Sequence, residues 1–190
     1  MLKTNYVLLV LGILTLGLTS CANQPTNYQV DPEIQFYGAQ KVNDKTVAIR
    51  VLPPEVSTES NNEYAVIKPD NNFEDAIKNN LIDALIKQGY KISSNKFFTD
   101  FNVELDFTKF NVRVTKGSIK QTISVDGQLA ITLKRKPHSI SKSFSRSQEL
   151  TVALKANQAE ITGVANEVAG KLLQTAFNDK SVISFMNNMQ

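Results

Sequence analysis

Ser139, Ser141, Ser143, Ser145 and Ser147 recur at every second position, with His138 directly before them. A hydroxyl beside an imidazole suits nucleophilic catalysis, which also needs a carboxylate to orient the ring. No acidic residue lies near His138 in the sequence, and no G-x-S-x-G turn presents a serine. The alternation therefore reads as the solvent face of an edge strand. His138, next to Pro137, reads as an exposed turn residue. Glu104 and Asp106 share one face of a predicted strand. Such a pair suits acid–base or Ca²⁺ chemistry, but strand carboxylates more commonly sit across from lysines. One cysteine and one histidine exclude a multi-cysteine or multi-histidine metal centre. Phosphate-binding glycine loops, H-E-x-x-H and EF-hand patterns are all absent. The sequence thus predicts no enzyme, no metal and no cofactor other than a covalent lipid.

The one concentrated charge is basic. Lys134, Arg135 and Lys136 stand at a predicted hairpin tip, with Lys142 and Arg146 on the returning strand. They form a candidate interaction patch for anionic headgroups or acidic glycan; the plainer reading is a solvated tip. Lys142 and Arg146 share the side of Ile140 and Phe144, where charge also blocks edge-to-edge strand pairing. With 21 basic against 18 acidic side chains, the net charge of +3 is too small to argue for nucleic acid.

The lone cysteine takes its meaning from its position. Lys3 is the only charge before Asp31, and an apolar run covers 6–18. As a helix this run spans about 20 Å, short of a hydrocarbon core of about 30 Å. A basic start, a short apolar centre and small residues after it describe a signal peptide over 1–20. Leu18-Thr19-Ser20-Cys21 resembles a bacterial lipobox. That resemblance implies cleavage before Cys21 and a diacylglycerol on its thiol, with palmitate among the acyl chains. Each buried methylene adds about 0.8 kcal/mol, so two or three chains hold a protein permanently. Ala22 stands where Asp would retain a lipoprotein in the inner membrane. The resemblance therefore implies the inner leaflet of the outer membrane, with the chain facing the periplasm.

Residues 21–30 read as a lipid-anchored flexible tether and 31–190 as a single domain. Ile34 and Phe36 suggest a short strand, 46–52 a stronger one that ends at Pro53-Pro54, and 64–67 another. Phe73, Ile77, Leu81, Ala84 and Leu85 mark a helix over 73–88, widened by Ile82 and Ile86, capped by Asn72 and stopped by Gly89. Val103, Leu105 and Phe107 alternate, then the apolar phase slips to Phe110, Val112 and Val114, which predicts a bulge near Lys109. Ile119 and the odd positions from Ile123 to Leu133 face a core while the even positions are polar. Ile140 and Phe144 mark the returning strand, running on through Leu150 and Val152. A second helix over 157–177 opens on Asn157 and Glu160, and 181–189 suggests a short third. The predicted fold is α+β: a two-layer sandwich of a mostly antiparallel sheet. Two main helices should share its odd-residue face, with a short C-terminal helix.

The lipobox, the early strand at 47–52, the helix ending Gln88-Gly89-Tyr90, the long strand pair leading to Lys142–Arg146 and the closing Ile183-Ser184-Phe185-Met186 together resemble the YajG-type bacterial lipoproteins. The resemblance covers essentially the whole chain. It implies a small envelope lipoprotein without catalytic residues, and it carries over one site, Cys21. The expected partners are the membrane, through the anchor, and an envelope protein. The expected role is a non-enzymatic accessory or assembly factor; the alternative is a carrier or chaperone holding a lipid or glycan between helices and sheet.

Overall fold

The computed structural model describes residues 25–36, 45–55, 60–117 and 119–187. Among these residues seven strands and three helices follow in the order β1 (Asn27–Tyr28), β2 (Thr46–Leu52), β3 (Tyr64–Pro69), α1 (Phe73–Lys87), β4 (Lys91–Ile92), β5 (Phe101–Thr115), β6 (Lys120–Arg135), β7 (His138–Ala153), α2 (Gln158–Phe177) and α3 (Lys180–Asn187). The fold is α+β, but its sheet is curled and mixed. β1–β3, β2–β4 and β2–β5 pair parallel; β3–β5, β5–β6 and β6–β7 pair antiparallel. This corrects the expectation of a mostly antiparallel sheet. The reason is α1, which carries the chain back so that β4 runs beside β2 in the same direction, as a helical crossover does.

β5 organises the sheet. One edge bonds to β6; the other is shared end to end by β2, paired to Phe101–Asp106, and β3, paired to Val112–Thr115. Its register with β6 shifts between Asp106 and Lys109. The shift lets both Phe107 and Phe110 turn inward, which is the phase slip visible in the sequence. Phe73, the first residue of α1, packs on both rings at centroid distances of 5.0 and 5.3 Å.

The helices do not form the expected pair over one strand. α2 lies over β6, β7 and β1, whereas α1 lies over β2 and β4. α1 begins at Asn72, whose side chain accepts from the Asp75 N–H at 2.9 Å, and stops at Gly89 with φ 95°. α2 opens on a capping box: Asn157 accepts from Glu160 N–H, and Glu160 from Asn157 N–H, each at 2.9 Å. Gly170 in α2 lets the segment 31–36 cross the helix. A Cβ there would come within 2.7 Å of the Glu33 carbonyl oxygen.

Three further expectations need correction. Residues 31–36 form no strand. Asn27–Tyr28, within the expected tether, pairs with β3, and Tyr28 and Val30 are each 2% exposed. Ile119 is 81% exposed because it precedes β6, and Ile86 turns to solvent at the end of α1. Gln121 is the buried polar residue of the described core. Its amide donates to the Gly117 carbonyl and accepts from the Ala156 N–H, joining the β5–β6 turn to the entry of α2.

Candidate functional site

β6 and β7 pair along their full lengths, from Lys120 opposite Ala153 to Arg135 opposite His138. Lys136 and Pro137, joined by a cis peptide bond, make the tip. Strand alternation then divides the five predicted basic residues. Lys134 lies opposite Ser139, on the polar face. Lys142 lies opposite Ile131 and Arg146 opposite Gly127, on the helix side. Lys134 reaches Glu104 at 3.6 Å, and Arg50 reaches the same carboxylate oxygen at 3.7 Å. Lys142 binds Asp179, just before α3, at 3.0 Å. Arg135 lies over the Phe185 ring, 5.8 Å from its centroid. Lys136 and Arg146 are exposed. The structure thus brings Arg135 and His138 together with Lys180 in an open cleft of about 550 Å³, floored by Ile140 and Phe185. Lys180 joins this group only because α3 folds back onto the hairpin, a contact 45 residues long in sequence that spacing does not reveal.

The other candidate chemistry resolves into ordinary surface. Glu104 sits across from Arg50, while Asp106 pairs with Leu52 and Ala130. Among the described residues no three His, Cys, Asp or Glu side chains group as a metal site. The serines occupy the exposed face of β7, where Ser141 meets Thr132 at 3.0 Å and Ser147 donates to Asp126 at 2.7 Å. Cys21 lies outside the described residues.

Asp126 and Asp179 are two acids whose environment alters their proton affinity. Arg113 pairs with Asp126 from β5 and lies over the Tyr64 ring. Burial pushes its carboxyl up, but the Ser147 hydroxyl, the Lys109 charge and Arg113 together hold it below its ordinary value. The hydrogen bond from Lys142 does the same for Asp179, against a smaller effect of burial and with help from the Ser181 and Val182 N–H groups. Both carboxyls bind protons more weakly folded than unfolded. Their contribution is therefore complete above the ordinary carboxylate value and is lost as pH falls through the folded one. Urea melts should show stability falling below about pH 4. Asp126→Asn should be less stable at neutral pH and lose less on acidification; an unchanged acid limb would contradict the assignment.

The sequence reading missed the loop between β4 and β5. Phe97 and Phe98 are 76% and 79% exposed there. The loop is tied down: Asn95 N–H donates to Ser93 Oγ at 3.0 Å, and Thr46 N–H donates to Asp100 Oδ2 at 2.6 Å. Lys96 stands over the Phe97 ring at 5.4 Å. The available signal was an apolar pair inside a polar stretch, with no partner at helix or strand spacing.

A family model described as uncharacterized lipoprotein matches residues 55–187. The chain belongs to this lipoprotein family. That membership agrees with the resemblance read from the sequence and makes the protein a membrane-associated lipoprotein of the cell envelope. No helix among the described residues is long and apolar enough to cross a membrane. Among solved structures, protein XCC0632 from Xanthomonas campestris shares the fold with a TM-score of 0.51 at 10% identity, over 87% of this chain and 100% of that one. Lipoprotein GNA1162 from Neisseria meningitidis is a looser match, with a TM-score of 0.33 at 11% identity over 68% of this chain and 97% of that one. No curated protein matches the lipoprotein significantly.

Proposed function

We propose that this lipoprotein is a non-enzymatic accessory or assembly factor that binds another envelope protein. In this reading it is held by lipid on Cys21 to the inner leaflet of the outer membrane and faces the periplasm. The observation that carries the binding role is the Phe97–Phe98 pair, presented to solvent on a hydrogen-bonded loop. Adjacent exposed aromatic rings are costly on a free surface and are what protein interfaces use as anchors. The carrier reading has less support. The void bounded by Phe36, Leu85, Tyr90, Phe177 and Met186 measures about 10 Å³, room for about one water.

Crosslinking in intact cells tests the role. The parent chain should capture a reproducible envelope protein, and Phe97→Ser/Phe98→Ser should lower its recovery about tenfold with an unchanged melting temperature. No reproducible partner, or equal recovery with the variant, would count against it.

A further inference from the structure

β7 bonds to β6 along its whole length, and among the described residues nothing pairs with its outer edge. Unpaired N–H and C=O groups on a strand are a template for another strand. Native edges are protected by shortness, by proline or by an inward charge. β7 runs 16 residues from His138 to Ala153 without a proline. Its inward charges are Lys142 and Arg146, and the structure changes what Lys142 means. Its ammonium is held at 3.0 Å by Asp179 of its own chain, so it is neutralised and drawn toward α3 instead of across the edge. Arg146 is exposed and has no ion pair among the described residues.

We infer that the outer edge of β7 pairs antiparallel with β7 of a second copy of this chain, about a twofold axis through Ser145. The register follows from the side chains. Residues directly opposite in an antiparallel pair share a face, so odd positions must meet odd ones. An axis through Arg146 sets that residue against its own copy. An axis through Phe144 sets Lys142 against Arg146. Both place like charges opposite each other, which destabilises a ladder. An axis through Ser145 avoids this and pairs residues 138–152. Arg146 then meets Phe144 of the second copy, twice by symmetry, a cation over a half-buried ring. Ile140 meets Leu150, which is 39% exposed in the single chain. On the other face Ser141 meets Glu149, and Ser143 meets Ser147. The pairing does not depend on the lipid anchor or on the Phe97–Phe98 loop.

Disulfide trapping on the full chain, in membranes and after extraction in dodecyl maltoside, tests the register. Facing residues at the axis have Cα atoms about 4.5–5.5 Å apart, within disulfide reach. Ser145→Cys should give a two-chain species under mild oxidation. Ser139→Cys, on the same strand face, would lie about 40 Å from its own copy and should not. The parent chain, with Cys21 alone, should not crosslink. In sedimentation equilibrium the parent should self-associate, and Ser145→Lys should weaken this about fivefold or more. Four results would overturn the inference: a monomeric parent, association untouched by Ser145→Lys, equal crosslinking from Ser139→Cys, or crosslinks from Ser145→Cys to other proteins in place of a second copy. Should Ser145→Lys fail to fold, the two cysteine variants decide.

Discussion

Phe107→Ala should remove about 3–5 kcal/mol of folding stability. The side chain is fully buried, so truncation loses its transfer free energy and leaves a cavity that the neighbours fill only in part. Two further losses push the cost toward the upper end. Phe73 and Phe110 meet this ring edge-on, at 5.0 and 6.2 Å, and those aromatic contacts go with it. Phe107 also sits inside the register shift between Asp106 and Lys109, where the β5–β6 ladder is interrupted and packing fixes the strand. Because Phe73 opens α1, the damage spreads from the sheet to the helix seat. Urea denaturation followed by far-UV circular dichroism measures this, with Phe98→Ala as the comparison. Phe98 is solvent-exposed, and its loss should change stability by about 0.5 kcal/mol or less. A smaller loss for Phe107→Ala than for Phe98→Ala would contradict the core assignment.

The contrast between these two phenylalanines shows what the sequence makes legible. Phe107 lies in a period-two pattern that slips one step to Phe110, and a slip in a long strand has one common physical cause, a bulge. The same logic located Asn72 and Asn157 as caps and the even face of β6 as polar, since each depends on neighbours within a few residues. The parallel pairing of β2 with β5 was hidden because nothing local distinguishes a strand that will pair parallel from one that will not. That choice was made by α1, whose apolar stripe chose β2 and β4 as its seat. The same limit governed the basic residues. Lys142 reads as a free edge charge until Asp179, 37 residues on, is seen to hold it. Lys134 reads as part of a patch until Glu104 is seen beside it. Charge counts along the chain ignore partners that arrive by folding. The exposed loop at Phe97–Phe98 was illegible for the opposite reason: hydrophobic residues are assigned inward by default, and only the structure shows a pair left outside.

Cys21→Ala should abolish metabolic labelling with palmitate and leave the chain as unprocessed precursor. Alanine has no thiol to carry a diacylglycerol, and cleavage at a lipobox follows lipidation. The precursor keeps its apolar run at 6–18, so it should remain with the inner membrane while the parent fractionates with the outer one. The expected effect on labelling is nearly all-or-none, because Cys21 is the one cysteine of the chain. The domain itself should be unaffected, since β1 begins at Asn27, beyond the cysteine. From Cys21 to Asn27 the backbone spans at most about 21 Å. A lipid on Cys21 therefore keeps β1 and the adjoining edge of the sheet close to the headgroups. Inserting ten to twenty glycine and serine residues after Asn23 should preserve labelling while lengthening that reach. Persistent palmitate in Cys21→Ala would place the lipid elsewhere and overturn the anchor.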